Sequence, residues 1–184
     1  MGLELGALAN GRAFDDGVVV FGGGVLVSLR WDLGGRWSPR ASLYASYNGP
    51  FTVSNDVVQV STQGFSVRAL GGVRFRASKR WAFDGEVGAG VDGFVPASSS
   101  TTLPPPALGR PHVEASPVLS AALTARFALT GATDLFLGVG VDVDLWPRRY
   151  VSDIQGSREE LYEAWRVRPA VWLGFSFDVL GGEP

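Results

Sequence analysis

The sequence predicts an all-β fold, an eight-stranded antiparallel up-and-down transmembrane β-barrel. Three observations carry that expectation. Apolar and polar residues alternate with a period of two along nearly the whole chain, the pattern of strands with two unlike faces. The 184 residues are 46% hydrophobic and 18% charged, and 25 of them are glycine, whereas soluble domains average about 25% charge and about 7% glycine. Finally, tight turns alternate with longer links, the arrangement of a barrel with short turns at one end and loops at the other.

The elements follow in order. A short opening run sets Leu3, Leu5, Ala7 and Ala9 against Glu4 and Gly6. The second sets Val19, Phe21, Val25, Val27, Leu29 and Trp31 against Gly22, Gly24, Ser28, Arg30 and Asp32. Past the turn Leu33-Gly34-Gly35-Arg36, the third sets Trp37, Pro39, Ala41, Leu43, Ala45 and Tyr47 against Ser38, Arg40, Ser42, Tyr44 and Ser46. Phe65, Val67, Ala69, Val73 and Phe75 then oppose Ser66, Arg68, Gly72 and Arg74. Beyond the turn Ala77-Ser78-Lys79-Arg80, Trp81, Phe83, Val87, Ala89 and Val91 oppose Asp84, Glu86, Gly88, Gly90 and Asp92. Leu119, Ala121, Leu123, Ala125 and Phe127 oppose Ser120, Thr124 and Arg126. After the turn Thr130-Gly131-Ala132-Thr133, Leu135, Leu137, Val139, Val141 and Val143 oppose Asp134, Gly138, Gly140, Asp142 and Asp144. The last run sets Val171, Leu173, Phe175, Phe177 and Val179 against Arg168, Gly174, Ser176 and Asp178.

Most runs reach the roughly 9 to 11 residues that cross a bilayer at a tilt. Closure follows, because an open sheet edge in hydrocarbon leaves backbone groups unmet at several kcal/mol each. The longer links are expected near Asn10–Asp16, Asn48–Thr62, Pro96–Pro117 and Pro147–Ala164. Within the last, Ser157 and Glu160 have the spacing of a capping box, which predicts a short helix with Leu161, Tyr162 and Trp165 on its apolar side.

Several classes are excluded or bounded. Length predicts one domain over residues 1–184. A net charge of −2 with scattered arginine lacks the basic stripe of a nucleic-acid surface. The absence of cysteine removes disulfides and thiolate metal sites. The longest uncharged run, about Gly17 to Leu29, is too short for a spanning helix. Met1-Gly2-Leu3-Glu4 lacks a basic-then-apolar leader, so an exported protein is expected to have lost its signal.

The facing of the strands rests on energetics. Glu4, Arg30, Arg40, Arg68, Arg74, Asp84, Glu86, Asp92, Arg126, Asp142, Asp144, Arg168 and Asp178 share the polar face. An Arg or Lys facing lipid at the midplane costs about 2 to 4 kcal/mol, so these residues are expected to face the lumen. Their neighbours are small, and arginine dominates over lysine, which suits paired charges where water is scarce. An eight-stranded barrel is just wide enough for side chains to fill, so a structural salt-bridge plug is expected; a selectivity ring or ligand site is the sharper alternative. Trp31, Trp37, Phe75, Trp81, Phe83 and Phe127 flank the tight turns on the apolar face, as an interfacial girdle would. A looser set near the loop ends comprises Tyr47, Phe65, Phe94, Trp146, Tyr150 and Trp165.

On these runs the chain resembles the small eight-stranded outer-membrane barrels of the OmpA, OmpX and OmpW type over nearly its whole length. In such families the final strand commonly ends in an aromatic residue read by the assembly machinery, and Phe175 with Phe177 resembles that signal. This chain continues through Leu180 to Pro184. The resemblance implies residence in the bacterial outer membrane.

Other constellations have bland explanations. Asp142 and Asp144 with Asp92 could suggest Ca²⁺, but alternate acids on one strand face are expected to meet arginine across the barrel. The paired glycines make room in the lumen or let strands bend, and no strand-to-helix step follows them to form a phosphate cradle. His112, the only histidine, sits in a proline-rich loop, and its nearness to Glu114 and Ser116 in sequence is no catalytic triad. The function expected is therefore a non-enzymatic outer-membrane barrel, monomeric, without cofactor, metal or nucleic acid. Outer-membrane lipid is its expected partner, and its long loops are expected to meet an extracellular protein or surface ligand. A narrow pore and a soluble lipocalin-like ligand-binding barrel are the alternatives.

Overall fold

A computed structural model describes residues 1–15, 18–54, 59–99, 113–146, 149–154, 157–163 and 165–180. Ten strands follow along the chain: β1 (Gly2–Asp15), β2 (Val18–Arg30), β3 (Trp37–Ser54), β4 (Gln59–Arg76), β5 (Trp81–Ser99), β6 (Glu114–Ala128), β7 (Thr133–Asp144), β8 (Arg149–Ile154), β9 (Ser157–Glu163) and β10 (Val167–Leu180). Eight close into a barrel in the order β1-β10-β7-β6-β5-β4-β3-β2, and β8 pairs only with β9. Neighbouring barrel strands are antiparallel throughout. The β2–β3 turn uses Gly34 at φ 77°, a left-handed conformation that a side chain disfavours.

The register fixes the dimensions. A path across the strands from Gly2 runs through Arg30, Arg40, Gly72, Glu86, Ala122, Gly140 and Ala170, and returns to β1 at Arg12, ten residues beyond its start. With eight strands about 4.8 Å apart and a rise of about 3.3 Å per residue, that stagger gives a tilt of about 40° and a backbone radius of about 8 Å. Such a lumen holds side chains and leaves no wide channel.

Odd-numbered residues of the strands face outward through most of the barrel, and they form an uncharged belt. Val87, Leu123 and Leu137 are 65%, 66% and 58% exposed. Turn-side aromatics edge the belt: Trp37 packs at a tilt against Phe75 at 4.7 Å between ring centroids, and Trp81 against Phe127 at 5.1 Å. These pairs sit directly opposite each other in the register. The facing excludes a soluble barrel with an apolar interior.

Three expectations need correction. The links are shorter than expected, because Asn10–Asp15, Asn48–Ser54, Gln59–Thr62, Pro96–Ser99 and Glu114–Pro117 are strand. Beyond Phe65 the outward positions of β4 become Gln63, Ser61 and Gln59: the ladder continues after the apolar pattern stops. The expected helix from Ser157 is also absent, since Ser157–Glu163 is strand β9, paired with β8. Tyr150, Val151 and Ile154 favour a strand, and pairing overrides the local capping signal. Lastly, Phe94 is only 1% exposed and belongs to the interior rather than to the looser outer aromatic set. The loop Leu103–Pro111 and His112 lie outside the described residues.

Candidate functional site

The lumen is filled by inward side chains from all eight barrel strands. Of the thirteen charged residues that share the polar face in sequence, twelve are buried, and Asp178 is partly buried near the turn end. Among the described residues they fall into two groups with no ion pair between them.

Nearer the turns, Arg30, Arg40, Arg74 and Arg126 meet Glu4, Asp84, Glu86 and Asp178, four cations with four acids. Asp84 is the hub. It accepts from Arg74 Nε at 2.7 Å, from Arg126 Nε at 2.5 Å, and from Arg40. Glu4, carried by the first strand, pairs with Arg74, with Arg30 Nη1 at 3.2 Å and with Arg126 Nη1 at 3.3 Å. Hydroxyls complete the acids' shells: Ser28 donates to Glu4 at 3.2 Å, Tyr44 Oη to Glu86 at 3.0 Å, and Ser42 to Glu86. Charge-assisted bonds of this kind let a carboxylate stay ionised without water.

Nearer the loops, Arg12, Arg68 and Arg168 meet Asp92, Asp142 and Asp144, three with three. Arg68 grips Asp142 through two nitrogens, at 3.3 and 3.1 Å, and reaches Asp92 at 2.6 Å. Arg168 bridges Asp92 at 2.8 Å and Asp144 at 3.1 Å. The three aspartates are thus engaged by arginine.

Between the groups lies a cavity of about 60 Å³ lined by Leu8, Asn10, Tyr44, Leu70 and Trp172 among others. The glycines explain how Trp172 fits there: a Cβ at Gly138 would stand 2.1 Å from its Nε1, and one at Gly140 2.8 Å from its ring. Beyond the upper group, Phe14, Val20 and Phe94 form a buried apolar cluster with Val18 and Phe51 packed on it. Phe14 meets Phe94 edge to face at 5.6 Å, and the Arg168 guanidinium lies 5.1 Å from the Phe14 ring. The lumen is therefore closed by ion pairs below and aromatics above. At the turn end it opens into a vestibule of about 620 Å³.

Sequence reasoning assigned Asn10 and Arg12 to a loop. Parity alone finds them, since Glu4, Gly6, Leu8, Asn10, Arg12 and Phe14 continue one face. It also understated the apolar share of the interior, which includes Leu26, Leu70, Phe94 and Phe136.

No family model matches the sequence, and no curated protein matches it. Solved structures do. Ail, the attachment invasion locus protein of Yersinia pestis, is 15% identical with a TM-score of 0.58, over 96% of this chain and 95% of that one. The same protein in complex with the heparin analogue sucrose octasulfate is 16% identical with a TM-score of 0.57, over 96% of each chain. A major outer membrane protein from Thermus thermophilus is 11% identical with a TM-score of 0.64, over 97% of this chain and 100% of that one. The fold is that of the small outer-membrane β-barrels. The family resemblance of the sequence is therefore upheld at the level of fold.

Proposed function

We propose that this chain is a single-domain, monomeric, integral protein of the bacterial outer membrane. It acts without enzymatic chemistry, presenting its strand extensions and loops to an extracellular protein or surface ligand. One observation carries the membrane assignment: around the whole barrel, the outward residues between the aromatic levels are uncharged and either exposed or half-buried. Soluble monomers rarely expose a contiguous apolar patch beyond a few hundred Å², whereas lipid favours such a belt.

In this reading Trp31, Trp37, Phe75, Trp81, Phe83 and Phe127 sit at headgroup depth, and the lumen charges form a structural plug. The blocked lumen counts against a pore. The likeness to Ail, solved in complex with a heparin analogue, supports a binding role, and the loop end, where β3, β4 and β5 run to 18, 18 and 19 residues, offers the surface for it.

The test is refolding into detergent micelles and, separately, into buffer, followed by gel mobility with and without boiling. Folding only in detergent, with a mobility shift on boiling, is the expected result. A monomeric, β-rich, soluble species in buffer would overturn the proposal.

A further inference from the structure

On three strands the outward parity continues past the apolar belt. From Phe75 to Phe65, β4 climbs about 25 Å at a tilt of about 40°, the height of an outer-membrane apolar band. Phe65 and Tyr47 stand opposite each other in the register at the upper edge. Above them β4 rises about 15 Å more to Gln59, paired with β3 and β5. Among the described residues above that edge on these strands, the exposed ones are Pro50, Thr52, Ser54, Gln59, Gln63 and Ala97. None is charged, whereas surfaces that face water carry about 25 to 35% charged residues. Without a cation the face has no grip on phosphate, and its amides and hydroxyls do not suit lipid tails.

A second observation concerns what the edge presents. A Cβ at Gly93 would stand 2.1 Å from the Phe65 ring, so the ring lies across Gly93, yet Phe65 remains 45% exposed. Tyr47, 51% exposed, donates from Oη to Gln63 Oε1 at 3.0 Å, which orients the Gln63 amide. Two aromatic rings thus adjoin a field of amides and hydroxyls. A sugar ring matches both: its C–H face stacks on an aromatic ring, and its hydroxyls donate and accept as Gln, Ser and Thr side chains do.

We propose that this face docks the neutral saccharide headgroup of an outer-leaflet glycolipid. The occupant follows from continuity. The face rises from the lipid-contacting belt on the same strands and with the same parity, so the molecules beside it are the headgroups of the lipids packed below. The inference rests on the membrane reading above.

The probe is digalactosyldiacylglycerol, mixed in equal amount with phosphatidylcholine in micelles of a sugar-free detergent that hold the full chain; native mass spectrometry counts the lipids retained. The glycolipid should be retained about fivefold over phosphatidylcholine, falling to about parity in Phe65→Leu and in Gln59→Ala/Gln63→Ala. Phe21→Leu, at an exposed aromatic of β2 away from this face, should keep the preference. A boiling-dependent gel shift checks that each variant folds. The free disaccharide, at the concentration of the glycolipid, should leave the preference unchanged; its loss would assign the face to a soluble glycan and overturn the lipid source. No preference in the folded parent, or an undiminished preference in both folded variants, would overturn the inference while the membrane reading stands. A chain that does not fold in micelles would overturn both.

Discussion

Replacing Asp84 with Asn tests whether the lower ion network holds the barrel together. The substitution keeps the shape, removes the charge and turns one of the two acceptor oxygens into an NH2 donor. Asp84 accepts from three guanidinium groups, those of Arg40, Arg74 and Arg126, and its side chain is fully buried. A hydrogen bond to a charged group contributes about 1.5 to 3 kcal/mol and a neutral one about 0.5 to 1.5. The loss is therefore at least about 1 kcal/mol per arginine, or about 3 in total. Stranding a buried cation costs about 3 to 5 kcal/mol. The same arginines retain Glu4 and Glu86, which keeps the cost near the lower figure. Small proteins lose about 1 to 3 kcal/mol of stability per molar urea, so the unfolding midpoint should fall by about 1.5 M. The assay is urea unfolding in lipid vesicles, with Ser61→Ala on the outward face of β4 as a control expected within about 0.5 kcal/mol of the parent. A midpoint for Asp84→Asn within about 0.2 M of the parent would refute the account of the network.

Further substitutions probe the same barrel. Asp84→Asn and Glu86→Gln share Arg40, so their combined cost should depart from additivity by about 0.5 to 3 kcal/mol. Asp84→Asn and Asp142→Asn share no partner and should add within about 0.5 kcal/mol; strong coupling there would mean that the two groups act as one network. On β4, a Cβ at Gly72 would meet the Gly85 carbonyl oxygen at 2.0 Å, while one at Gly71 finds nothing within 4 Å. Gly72→Ala should therefore cost clearly more than Gly71→Ala in unfolding experiments. Equal effects would show that the sheet relaxes freely at this point.

The fold was legible because each strand separates two unlike surroundings, and period-two alternation writes that separation directly into residues such as Leu135, Leu137 and Val139 against Gly138 and Gly140. The polar parity also located the buried charges. What remained hidden follows from the same physics. Once a strand leaves the apolar belt, the outward side need not be greasy, so Gln59, Ser61 and Gln63 read as loop although their backbone stays paired. The shorter first run concealed Arg12 for this reason. Phe94 shares the inward parity of Asp84, Glu86 and Asp92, but its aromatic side chain near a loop end reads as one of the outer set. The partners themselves were unreadable: Arg12 meets Asp142 at 3.2 Å, a contact set by the stagger of the whole barrel. At Ser157–Glu163 a local helix signal lost to cross-strand pairing with β8.

The central claim is that the outward face meets lipid, and the absence of cysteine allows a direct measurement. Single cysteines at Leu119, Ala121, Leu123, Ala125 and Phe127 would each carry an environment-sensitive fluorophore, with the chain folded in vesicles containing lipids brominated in mid-chain. The account predicts strong quenching by bromolipid at 121, 123 and 125, weaker quenching at 119 and 127, and little quenching by aqueous iodide at the central positions. Strong iodide quenching at position 123 with none from bromolipid would contradict it.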